Sequence, residues 1–101
     1  MTDQDLMRAL RSVGMAAFVT HLPLFATATD PATAAERLRL ATGWAATACR
    51  TRINYARAIL AAGRTEDALA LIAAAERVEP AARAQARAVL ASRLRRSASS
   101  E

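Results

Sequence analysis

The chain has 101 residues, which suits one domain with a thin core, because its 53% apolar content rests on 28 alanines and only Phe18, Phe25, Trp44 and Tyr55 are aromatic. All 14 basic residues are arginine, and the formal net charge is +5. His21 is the sole histidine and Cys49 the sole cysteine, so neither an internal disulfide nor a nitrogen–sulfur metal site can be assembled from one chain.

Alanine is the best helix former, and no run of alternating β-branched residues marks a strand. The expectation is an all-α fold: a small bundle of about five helices with a C-terminal αα-hairpin and a final packing helix. It forms a single domain over 1–96, followed by a disordered tail at 97–101. Thr2 and Asp5 have the spacing of a capping box, with Asp in place of Glu. The helix they open carries Leu6, Leu10, Val13 and Ala17 on one stripe, with Met7, Gly14 and Phe18 beside it. It is predicted to run to Thr20 or His21, where Pro23 disfavours helix at the preceding residue. Residues 22–29 read as a connector that turns Leu24 and Phe25 inward.

Asp30-Pro31 is a start signal, a cap residue followed by proline at the first helical position. Ala34, Leu38 and Ala41 form the apolar side of that helix, and Gly43 stops it. A third helix is expected from Ala45 to Ala62. Its apolar side is Cys49, Ile53, Ala56 and Leu60, with Ile59 adjoining, and its polar side is Thr47, Arg50, Thr51, Asn54 and Arg57. After Gly63, Thr65 is placed to cap a fourth helix with Glu66 and Asp67 in its first turn, where acids suit the helix dipole. Leu69, Ile72 and Ala75 form its buried stripe. Pro80 ends it and opens a fifth helix over 81–95, with Ala82, Ala86, Val89, Leu90 and Leu94 inside.

The charge is unevenly spread: residues 1–30 sum to −1, 31–63 to +4, 64–80 to −2 and 81–101 to +4. Basic segments suit phosphate backbones or acidic protein surfaces. No Gly-rich phosphate loop and no serine elbow is present. The carboxylates fall at helix starts and on polar faces, so no enzymatic activity and no cofactor are expected. The N-terminus, Met1-Thr2-Asp3-Gln4-Asp5, has no basic lead-in of a secretory signal, and no apolar run reaches the ~20 residues of a membrane span. These features, with a lone cysteine, point to the cytoplasm and to no membrane partner. The thin core favours a homodimer.

Residues 52–80 resemble one tetratricopeptide repeat. Ala56 occupies the small position of the first helix, Ile59 the large apolar site, and Gly63 the turn. Ala68, Ile72 and Ala75 keep the spacing of the second helix, and Pro80 closes the unit. Arg52 stands where that family favours tryptophan, and Tyr55 where it favours leucine. Shifted back by 34 residues, Leu22, Phe25, Ala34, Leu38 and Ala41 fall at matching sites, but Pro23 interrupts the first helix of that copy. The resemblance implies a protein-interaction module, an adaptor or an antagonist of a partner protein.

Residues 34–57 resemble a helix-turn-helix. Ala34–Ala41 would be the supporting helix, Gly43 the turn, Trp44 an inward-packing residue, and the next helix the reader, held by Cys49 and Ile53. Thr47, Arg50, Thr51, Asn54 and Arg57 would face the nucleic acid, with Arg52 touching the backbone from the flank. Arginine can fork to guanine or phosphate and asparagine can pair with adenine. The +4 segment coincides with this unit, which favours a small basic DNA-binding regulatory protein. The arginine-only basic composition suits a GC-rich bacterial genome. The chain is also similar to small bacterial proteins with a Cys-Arg-x-Arg segment, here Cys49–Arg52, before an Ala-rich hairpin, a similarity that implies no function.

Overall fold

The computed structural model describes residues 1–27 and 30–99, and these form seven α-helices. They are α1 (Asp3–Val13), α2 (Met15–Thr20), α3 (Leu22–Thr27), α4 (Pro31–Thr42), α5 (Ala46–Ala61), α6 (Thr65–Ala74) and α7 (Pro80–Ser99). Local chemistry sets most of the starts and stops. The Asp5 N–H donates to Thr2 Oγ1 and the Thr2 N–H to Asp5 Oδ2, each at 3.1 Å, which closes the capping box of α1. These bonds, to Thr2's backbone first, hold the Asp5 carboxyl below the usual carboxylate range. Asp30 caps α4 by accepting from the Thr33 N–H at 2.9 Å and the Thr33 hydroxyl at 2.7 Å. Gly43 ends α4 in the left-handed region, φ 77°.

Five boundaries differ from the sequence reading. The expected N-terminal helix is broken in two at Gly14, which adopts φ 90° and ψ 124°. The cause lies far along the chain: the Arg52 side chain donates to the Val13 carbonyl, and a Cβ on Gly14 would stand 2.9 Å from Arg52 Nη1. The expected connector contains α3, because Pro23 is the second residue of a helix, where no backbone N–H is needed. Its last two residues, 28 and 29, lie outside the described ones. Thr65 is not a cap; it is the first residue of α6 and is buried, and Arg64 precedes it with no side-chain cap bond. Finally, α6 stops at Ala74, and five residues link it to Pro80. The fifth helix extends to Ser99, into the stretch expected to be a tail, whose residues 100 and 101 are outside the described ones.

The helix α5 lies at the centre. Its stripe of Cys49, Ile53, Ala56 and Ile59 is fully buried, mainly against α1 and α4. Leu6, Leu10 and Val13 of α1, Phe18 and Val19 of α2, Phe25 of α3, and Ala34 and Leu38 of α4 complete that part of the core, while Ala41 is exposed. The helix α6 packs chiefly on α7, through Ala68, Leu69 and Ile72 on one side and Ala82 and Ala86 on the other. Small residues on both partners allow that close approach. By contrast, α5 and α6 touch little, because the buried stripe of α5 is already covered. The tight helix pair is therefore α6–α7, not the hairpin over 52–80 that the tetratricopeptide resemblance implies. The short α2 bridges the two halves by packing on α7. None of the described helices is long and apolar enough to cross a membrane.

Candidate nucleic-acid interface

The unit of interest runs from α4 through Gly43, Trp44 and Ala45 into α5. The Thr42 hydroxyl donates to the Leu38 carbonyl at 2.8 Å and accepts the Trp44 N–H at 3.1 Å, which fixes the turn from its first residue. Cys49 is buried beneath it, its thiol 3.8 Å from the Trp44 carbonyl. Ala45 is the N-cap of α5 and supplies no side-chain acceptor. The first N–H groups of α5 therefore meet no capping oxygen, at the positive end of the helix dipole.

Turning 100° per residue, α5 sends Thr47, Arg50, Thr51 and Asn54 to one exposed stripe, with Ala58 and Ala61 continuing it. The Thr51 hydroxyl donates to the Thr47 carbonyl at 3.1 Å, so those two threonines present an ordered edge. No carboxylate occurs anywhere in α5. Two of the six residues expected at the interface behave differently. Arg57 is half-buried on the flank, where it lines a crevice with Phe25 and Ala26 of α3 and its charge reaches Asp30. The Asp30 carboxyl there sits below its ordinary range, chiefly through its Thr33 hydrogen bonds, with a smaller contribution from the Arg57 charge. Arg52 is turned to the inner side. Its guanidinium stacks 4.3 Å from the centroid of the Trp44 ring and donates to the Val13 carbonyl. That carbonyl is one of the orphan acceptors left where α1 ends, so Arg52 is a structural clamp between α1, the turn and α5.

Two further residues flank the stripe. Tyr55 is 39% exposed at its edge and adds an aromatic surface. Arg39 of α4, forked to Glu36 at 3.0 and 2.6 Å, lines a shallow crevice together with Glu36, Ala32, Ala35, Ala46 and Arg50. Helical spacing already contained the first of these, since Tyr55 follows Thr51 by four residues. Nothing in the sequence specifies which side of α4 meets α5. Among the described residues, no group of three or more His, Cys, Asp and Glu side chains is placed to hold a metal ion. In comparisons with known proteins, the chain matches no family model, no curated protein and no solved structure.

Proposed function

We propose that this chain binds nucleic acid through the exposed stripe of α5, and that it acts by binding rather than by catalysis. The observation that carries this reading is the acid-free face of Thr47, Arg50, Thr51 and Asn54, presented directly after a three-residue turn that opens with a left-handed glycine. Helix-turn-helix readers use such a turn to set a second helix on the major groove, with its N-terminal residues meeting base edges. Arg50 is the side chain suited to guanine or phosphate, Asn54 the one suited to adenine, and the two threonines can serve either. Arg57 adds positive charge at the margin, while the charge of Arg39 is offset by Glu36. Arg52 is left out of the contact set because its guanidinium holds Val13 and Trp44. We place the protein in the cytoplasm as a homodimer of bacterial origin with transcription as its target, the two α5 helices reading half-sites about 34 Å apart.

The test is affinity for duplex DNA at low and at moderate salt. Binding is expected to weaken steeply with salt. Arg50→Gln should weaken it further and lower the slope of log affinity against log salt by about 1. No detectable binding at low salt ends the proposal.

A second reading is favoured by a groove between α1 and α6, lined by Leu6, Met7, Ala70 and Leu71 beside Arg64 and Asp67. Such a surface suits an adaptor or antagonist that seats an apolar segment of a protein. Purification with one protein at fixed stoichiometry and without nucleic acid would select it.

A further inference from the structure

His21 stands at the joint between α2 and α3, half-buried, with its backbone N–H donating to the Ala17 carbonyl at 3.0 Å. Its ring meets Trp44 edge-on at a centroid distance of 5.9 Å and 80°, and Phe25 at 6.5 Å and 66°. Trp44 in turn carries the Arg52 guanidinium on its ring, and Arg52 holds the end of α1. A single stack of side chains thus joins α1, the α2–α3 joint, the α4–α5 turn and α5. No hydrogen bond among the described residues holds either nitrogen of the His21 ring.

The surroundings offer no counter-charge for an imidazolium. Among the elements around it, α1 has its acids, Asp3 and Asp5, in the first turn, at the far end from Gly14. In α4, Asp30 caps the helix and Glu36 is paired with Arg39. Glu66 and Asp67 lie in the first turn of α6, with Asp67 paired with Arg64, and Glu76 and Glu79 are exposed in the link between α6 and α7. Facing α2, the helix α7 carries Arg83, Arg87, Arg93, Arg95 and Arg96 and no carboxylate, and α5 contributes Arg52.

We propose that the His21–Trp44–Arg52 stack is a proton-operated latch: neutral His21 closes it, and protonated His21 leaves the stack and frees the α4–α5 turn from the α2–α3 joint. A proton on His21 would set a second cation against a ring that Arg52 already occupies, in a half-buried position that solvates charge poorly. Burial in fact pushes the His21 imidazole below its ordinary value, and no carboxylate opposes that shift. The partly exposed ring has an open route to water, so the low-pH form is an opened joint rather than an unfolded chain. The latch does not depend on what the outer face of α5 binds.

One histidine and one tryptophan make the test direct. The His21 ring protons are followed by NMR and the Trp44 emission by fluorescence as pH falls from neutral, on the whole chain without nucleic acid. The expected result is one shared midpoint, below the ~6.5 of an ordinary histidine, with far-UV helicity constant through it. His21→Gln should abolish the fluorescence step, and Arg52→Gln should shift the midpoint upward. The proposal is overturned if His21 titrates while Trp44 emission stays flat, or if helicity is lost at the same midpoint. A fluorescence step that survives in His21→Gln, or a midpoint unmoved in Arg52→Gln, overturns it as well.

Discussion

The helices α5 and α7 are close in composition and opposite in how they are buried. Both are rich in alanine and arginine, both lack a carboxylate, and each accounts for most of one of the two basic stretches of the chain. In α5 four consecutive core positions are fully buried, so every other residue has a fixed side, and its arginines are sorted: Arg52 inward, Arg57 on a flank, Arg50 outward. Among the residues of α7 whose side chains are described, Ala82 and Ala86 are the buried ones, and arginines surround the helix. Arg83 and Arg93 lay their stems against the protein, with their Nε atoms covered and without hydrogen-bond partners among the described residues. Net charge alone therefore does not make a site; burial on one side of a helix decides which arginines a ligand can meet together.

Substitutions can break this contrast, and the largest effect should come from the buried side of α5. Ile53→Ala is expected to cost about 2–5 kcal/mol, because the cavity would open where α1, α4 and α5 meet, and thermal or urea unfolding measures it. The equivalent truncation on α7, Leu94→Ala, should change stability little, since Leu94 is 51% exposed. Next is Gly14→Ala, expected to cost about 1–3 kcal/mol from its backbone conformation, with displacement of Arg52 added. Arg52→Met should cost about 1–2 kcal/mol through the lost ring stack and the stranded Val13 carbonyl, while Arg87→Met on α7 should stay within about 0.5 kcal/mol of the parent. If the two arginine variants unfold alike, the sorting of arginines by α5 is refuted.

The smallest effect concerns acid. Asp5 and Asp30 have folded values held below about 3.8 by their helix caps. Their contribution is complete above the unfolded value and disappears as pH falls through the lower folded one. The acid limb of a stability–pH curve should therefore move toward that of Asp30→Asn, which removes the α4 contribution, only below about pH 4.

The all-helical fold and several of its joints were legible because their signals are local. Thr2 with Asp5, Asp30 with Pro31, and Gly43 each state a helix start or stop within four residues. Gly14 was not legible as a break, because the group that holds the Val13 carbonyl beside it is Arg52, 39 residues from Val13. Pro23 read as a breaker because its tolerance in a first helical turn depends on where the chain is already turning. The outward residues of α5 followed from helical period alone. The inward turn of Arg52 did not, since it sits at the boundary of two faces and only Trp44 and the end of α1 give it a partner. Pairing was the least legible feature: small residues at helical spacing fit a close partner on either side, and α7 rather than α5 took α6.

Arg64 donates to the Met1 carbonyl and to Asp3, each at 2.6 Å, across 63 and 61 residues of chain. With Arg52 at its other end, α1 is fastened at both termini by arginines that are synthesised well after it. A nascent chain therefore carries α1 unsecured until α5 and the start of α6 have emerged, with its apolar side waiting for α5. The locking of α1 waits for α5 and the start of α6, so its amide protons should become protected in step with their appearance rather than on their own.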